Sequence, residues 1–197
     1  MAEHTTAPAS HIYAIPDCVS LETAALIEPL AVSWHAVNRS PFKVNDNVLV
    51  IGGGPIGIGI IQVLKLQGAG NIIVSETAEK RREFSKYYGA TYTLNSRFDN
   101  VTQRVLEITD GVGADVVFDT AGVEIALKSG IEACRAHGSI VNIAVWEKPP
   151  AVSVNTLMYR EAHYIGVTLY DEQSFVDVIR ALCYGETLQI HSTKDQR

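Results

Sequence analysis

The stretch Gly52-Gly53-Gly54-Pro55-Ile56-Gly57 constrains this chain more than any other. It is a G-x-G-x-x-G that follows a β-branched run, VLVI at 48–51, and opens an apolar segment at 56–66 that stops at Gly68. Between a strand and a helix, this spacing has a mechanism. Gly52 permits a tight turn, Gly54 lets a pyrophosphate approach the backbone, and Gly57 allows the helix to lie close on the strand. Pro55 suits the first helical turn, where its missing N–H has no intrahelical partner anyway. The helix start at Ile56 offers free N–H groups and a partial positive charge to phosphates. The pattern predicts a dinucleotide site that includes Gly52, Gly54, Pro55, Ile56 and Gly57.

Such a site calls for an acidic residue about 20 positions further on, at the end of the second strand. Glu76 stands directly after NIIVS at 71–75, 19 residues beyond Gly57. A carboxylate there accepts hydrogen bonds from the adenosine ribose hydroxyls and repels a 2′-phosphate, which favours NAD over NADP. Arg81 and Arg82 pull the other way, because a nearby arginine accommodates a 2′-phosphate. Arg81 is a candidate contact beside the adenine; for both arginines a solvated helix face is the alternative.

The rest of the chain alternates. Strand-like runs at 48–51, 71–75, 92–94, 115–118, 139–145 and 164–169 are separated by helical stretches at 56–66, 79–88, 98–108 and 123–134. Residues 146–160 contain Pro149-Pro150 and read as an irregular crossover, and a last helix at 175–184 ends at Gly185. Strands alternating with helices of about ten residues indicate βαβ units and a parallel sheet. Their near-continuous Val and Ile content suits strands covered on both faces. The expected fold is α/β: a doubly wound, parallel six-stranded Rossmann sheet in the order 3-2-1-4-5-6. Residues 1–45 read as a polar, mobile tail (1–11) and a lead-in with a helical stretch at 21–37 interrupted by Pro29; residues 46–197 read as the dinucleotide-binding domain. After the fourth strand, the turn Asp119-Thr120-Ala121-Gly122 faces the crevice. Ala121 is a candidate cofactor contact, and Asp119 either touches the cofactor or caps a turn.

Composition narrows the function classes. Sixteen Lys and Arg against 22 Asp and Glu give a net charge of −6, so nucleic acid and anionic membranes are poor partners. No apolar run reaches the roughly 18 residues of a membrane span, and the first ten residues lack the order of a secretory signal. Cys18, Cys134 and Cys183 are odd in number and far apart. They suggest no disulfide framework, hence a reducing, cytoplasmic setting.

Several stretches together are specific: Ala25-Leu26-Ile27-Glu28-Pro29-Leu30-Ala31-Val32, the glycine loop, VSE at 74–76, GADVVFDTAG at 113–122 and NIAVWEKP at 142–149. With them the chain resembles the medium-chain dehydrogenase/reductase superfamily from about residue 12 onward. The nearest likeness is to its zinc-dependent polyol branch, which includes 2,3-butanediol and sorbitol dehydrogenases. The resemblance implies the NAD(H)-binding domain of an alcohol dehydrogenase, whose parent reaction moves a hydride between a secondary alcohol or diol and NAD. It implies that Ile143, Ala144 and Val145 meet the nicotinamide carboxamide and that Val167, Thr168 and Leu169 lie by the ring's other edge. It also implies a homodimer formed through the edge strand at 164–169.

The family's zinc-binding catalytic domain, roughly 150 residues with a Cys and a His-Glu pair, has no counterpart here; no Gly-His-Glu occurs. The chain therefore resembles an isolated cofactor domain or a truncated homologue. Glu28 matches the glutamate that faces the catalytic zinc. One carboxylate falls short of the three or four ligands zinc needs, so zinc is expected only in a full-length parent. None of the six histidines shows metal spacing. His35 suits packing, His163 lies beside a strand, and His137 suits a helix end before Gly138. A short-chain dehydrogenase needs Tyr-x-x-x-Lys, which none of the eight tyrosines provides. A methyltransferase does not account for Glu76 or the EPL stretch. A non-enzymatic NAD(H)-binding module or redox-sensing pseudo-enzyme is the alternative reading.

Overall fold

The β-branched runs assemble into one parallel sheet in the computed structural model, which describes residues 4–184. Six strands, β1 (Asn47–Ile51), β2 (Asn71–Ser75), β3 (Tyr92–Leu94), β4 (Ala114–Asp119), β5 (Cys134–Asn142) and β6 (His163–Gly166), lie in the order β3-β2-β1-β4-β5-β6. Every neighbouring pair is parallel. This is the doubly wound Rossmann arrangement expected from the sequence.

Strand alternation sends β1 side chains to two cores. Val48 and Val50 join Ile60, Ile61 and Leu64 of α3 (Pro55–Leu66) and Val37 of α2 (Ile27–Arg39). Leu49 and Ile51 join Val105 of α5 (Val101–Ile108) and Leu127 of α6 (Glu124–Ala133) on the opposite face. Phe118 is fully buried on the α3 side. Helix α4 (Glu79–Tyr88) contributes Tyr88 to that same face. A smaller cluster joins Ile27 and Ala31 of α2 to Val178 and Ile179 of α8 (Glu172–Cys183). His35 of α2 reaches Asp171 at 3.4 Å and Ser174 at 3.3 Å, at the start of α8, so it packs and anchors.

Several boundaries differ from expectation, each for a local reason. Pro29 does not interrupt the lead-in helix. A short α1 (Leu21–Ala24) precedes α2, and Pro29 lies in the first turn of α2, where an N–H has no partner to lose. Helix α5 starts at Val101 rather than 98 because Asn100 caps it, accepting the Gln103 N–H at 3.1 Å. The crossover at 146–160 holds a further helix, α7 (Val154–Arg160), capped by Ser153. Strand β5 spans Cys134–Asn142, so 143–145 lie beyond it, and β6 ends at Gly166, so 167–169 lie beyond that. His137 ends no helix: it sits within β5 at φ +56°, 3.2 Å from Glu161. Residues 9–11 of the tail form one 3-10 turn. Gly185 and His191 lie outside the described residues.

The cysteines require a correction. Cys18 and Cys183 form a disulfide, with Cα atoms 5.5 Å apart and a sequence separation of 165; Cys134 is free and buried. Spacing could not show this. The packing of α8 on α2 brings the chain's last described helix against the lead-in, where Tyr13 also stacks on Phe175 at 4.8 Å.

Candidate functional site

The carboxyl ends of β1, β2 and β4 open into a cleft of about 850 Å³. The loop leaving β1 forms its wall. Gly52 adopts φ +99°, which only glycine takes without strain, and its N–H donates to Ser75 O at 2.9 Å. A methyl group on Gly57 would run into the Gly52 carbonyl, so α3 can lie this close only with glycine there. Gly54 is different: an added Cβ would meet nothing within 4 Å. Its backbone borders the cleft and is open to a ligand.

Glu76 is buried beside this loop. Its Oε2 accepts the Gly53 N–H at 2.9 Å, and its Oε1 accepts the Ala78 N–H at 2.8 Å and the Thr77 hydroxyl at 3.2 Å. Arg81 lies 3.7 Å from Oε2. Burial on its own pushes the carboxyl pKa up. The N–H groups of Ala78 and Gly53, the Thr77 hydroxyl and the Arg81 charge together outweigh it and hold the pKa below its ordinary value. The two arginines separate clearly. Arg82 donates to the carbonyls of Glu76 at 3.0 Å and Thr77 at 2.7 Å, so it serves as a local clamp. Arg81 borders the cleft, with its side chain 60% exposed.

On the other wall Thr120 and Ala121 follow β4. The Thr120 hydroxyl donates to Ile51 O at 2.8 Å and ties the end of β4 to that of β1. Asp119 is fully buried and does not line the cleft; its Oδ1 caps the turn by accepting the N–H groups of Ala121 and Gly122. Arg97 and Lys128 also border the cleft. Sequence reasoning missed both, because only the sheet order brings the β3–α5 loop and α6 to one opening.

Gly52, Gly54, Glu76, Arg81 and Ala121 therefore share one cleft, with Gly57 buried behind it. The other candidates lie apart from it. Pro55 is exposed at the start of α3, and Ile56 and Ile143 are half-buried against the α3-side core, as is Val167. Ala144 is half-buried, Val145 is 96% exposed, and Thr168 and Leu169 are exposed beyond β6. Glu28 is exposed in the first turn of α2. Among the described residues no three His, Cys, Asp or Glu side chains gather as a metal-binding group, so these residues do not by themselves fit a zinc ion. No described helix is long and apolar enough to cross a membrane.

A doubly wound parallel sheet with a glycine turn after β1 and an acidic residue closing β2 defines a protein of the dinucleotide-fold class. Within that class the chain belongs to the zinc-binding dehydrogenases, whose family model matches residues 55–183. It is 36% identical over 191 residues to (R,R)-butanediol dehydrogenase of Saccharomyces cerevisiae, covering 94% of this chain and 49% of that protein. The crystal structure of 2R,3R-butanediol dehydrogenase from Bacillus subtilis superposes with a TM-score of 0.81 at 33% identity, over 87% of this chain and 49% of that one. A zinc-binding-dehydrogenase homologue from Sinorhizobium meliloti 1021, solved bound to NADP, superposes with a TM-score of 0.81 at 26% identity, over 87% of this chain and 51% of that one. The chain thus spans about half the length of the relatives it matches.

Proposed function

We propose that this chain is the NAD(H)-binding domain of a zinc-dependent dehydrogenase whose whole form moves a hydride between a secondary alcohol or vicinal diol and the cofactor. In this reading residues 1–45 lead in and residues 46–197 form the cofactor domain. The observation that carries it is the pairing of an open Gly54 with a buried, ionised Glu76 across one cleft. The open backbone at Gly54 and the N-terminus of α3 receive the pyrophosphate. Glu76 takes a ribose hydroxyl with its remaining acceptor capacity and disfavours a 2′-phosphate, which supports NAD. Ala121 flanks the adenosine, and Arg81 covers it from the solvent side. Ile143, Ala144, Val145, Val167, Thr168 and Leu169 form the rim where the nicotinamide end extends past the cleft. The bound nicotinamide supplies the hydride acceptor or donor. Glu28 alone holds no zinc, and no step on this chain runs through one.

Titration with NADH and NADPH tests the reading. Saturable NADH binding, tighter than NADPH, is the expected result, with no alcohol oxidation by this chain in added zinc. Absence of binding by either nucleotide overturns it.

A further inference from the structure

Asp119 ends β4 where three strands lie side by side, opposite Ile51 of β1 and Asn142 of β5. Its side chain is fully buried. Oδ1 accepts the N–H groups of Ala121 at 3.0 Å and Gly122 at 3.2 Å. Its main-chain carbonyl accepts the N–H groups of Ile143 at 3.0 Å and Ala144 at 3.1 Å. The two segments held this way also run close together, since a methyl group added to Gly122 would lie 3.2 Å from Ala144 Cβ and 3.3 Å from Val145 O. Oδ2 is buried without a hydrogen-bond partner. A turn cap needs only a surface Asp or Asn. Burying the carboxyl with one oxygen unpaired costs stability, so its placement calls for a reason other than capping.

We infer that Asp119 is a positioning residue that holds the 120–122 turn and the 143–144 segment in one fixed relation, so that both ends of the cofactor site are set from a single side chain and its own carbonyl. The inference rests on the dinucleotide reading, in which Ala121 flanks the adenosine and Ile143 and Ala144 flank the nicotinamide. Asp119 touches no part of the cofactor and acts through these neighbours. Loss of the carboxyl frees the turn, and because Gly122 lies close to Ala144, the freed turn no longer backs the nicotinamide rim.

NADH and AMP are titrated into wild-type protein, Asp119→Ala and Asp119→Asn, well below each protein's unfolding temperature, with NADH emission as a second readout. Asp119→Ala is expected to weaken AMP, which needs only the adenosine end beside Ala121, at least threefold, and NADH, which spans both ends, at least tenfold. Asp119→Asn keeps the Oδ1 acceptor and should return NADH to within threefold of wild type, with the wild-type emission change. Three results overturn the inference: Asp119→Ala binding NADH as wild type does, Asp119→Asn falling as far as Asp119→Ala, or AMP and NADH weakening equally. If Asp119→Ala does not fold, Gly122→Ala carries the test, because its methyl presses on Ala144; an unchanged NADH-to-AMP ratio there overturns the inference. Wild-type protein that binds neither nucleotide overturns the dinucleotide reading instead.

Discussion

Glu76 Oε2 accepts the backbone N–H of Gly53 at 2.9 Å, so the acid that closes β2 also braces the glycine loop that closes β1. The two sequence signals of a dinucleotide site are thus one hydrogen-bonded unit before any ligand arrives. Replacing Glu76 with Ala removes the proposed ribose acceptor and leaves the buried Gly53 N–H without its partner. Hydrogen bonds to a charged group contribute about 1.5–3 kcal/mol. Glu76→Ala should therefore weaken NADH roughly tenfold or more, narrow the NADH-over-NADPH preference and lower the melting temperature. Calorimetric titration with both nucleotides checks it; an unchanged ratio removes Glu76 from the ribose.

The same carboxylate makes stability depend on pH. Its pKa is lower in the folded chain than in the unfolded one, where it has its ordinary carboxylate value. The contribution is therefore fully present above that unfolded value and is lost as pH falls through the lower folded one. The melting-temperature gap between wild type and Glu76→Gln should be level from neutral pH down to about 5 and shrink below about 4. A gap that stays constant down to pH 3 rules out this role.

Much of this site could be read from the sequence because its signals are local. Gly52, Gly54 and Gly57 answer to backbone demands within six residues, and Glu76 follows the next strand directly. What escaped depends on distant packing. Cys18 meets Cys183 only because α8 lies on α2. Strands β5 and β6 end early although Ile143, Val145 and Val167 have strand-like side chains. The N–H groups of Ile143 and Ala144 both turn onto the single carbonyl of Asp119, which breaks the ladder. Asp119 itself looked equally like a ligand and a cap, since burial is not visible in a four-residue turn.

Gly54 and Gly57 should fail in opposite ways when each is changed to Ala. At Gly57 the new methyl meets the Gly52 backbone, which cannot rotate aside, so about 1–3 kcal/mol of stability is lost and the melting temperature drops. At Gly54 φ is −76° and the added methyl meets open space, so the fold stays intact. There the methyl would occupy the proposed approach of the pyrophosphate, and NADH affinity is expected to fall at an unchanged melting temperature. Thermal unfolding and NADH titration on both variants separate the roles. A Gly54→Ala protein that binds as wild type does places the pyrophosphate elsewhere.

The Cys18–Cys183 bond closes nearly the whole described domain into one loop, its ends separated by 165 in sequence. A cross-link of that span restricts the unfolded chain, and removing one typically costs about 2–4 kcal/mol. Cys183→Ser should lower the melting temperature in non-reducing buffer. A thiol reductant should lower wild type to the same value and leave the variant unmoved. Equal melting curves for wild type with and without reductant would show that the bond does not stabilise the fold.

Strand β6 closes one side of the sheet and pairs only with β5 among the described strands. Its four residues, His-Tyr-Ile-Gly, carry no proline and no permanent charge, and Tyr164 is 40% exposed. An edge of this kind can take up another strand, and a two-fold axis lets two copies of the same edge pair antiparallel, each supplying the surface the other needs. The edge is shorter than the 164–169 stretch suggested by sequence, so backbone pairing alone is thin. The exposed side chains next to it, Leu169 at 64% and Tyr170 at 37%, would have to add apolar contact. A dimer with about twice the 21.4 kDa chain mass is expected from light scattering at low micromolar concentration. Ile165→Pro, which removes a backbone donor and fixes φ in the middle of the edge, should shift it toward monomer. A monomeric mass for the wild-type chain shows that this edge does not hold two copies together.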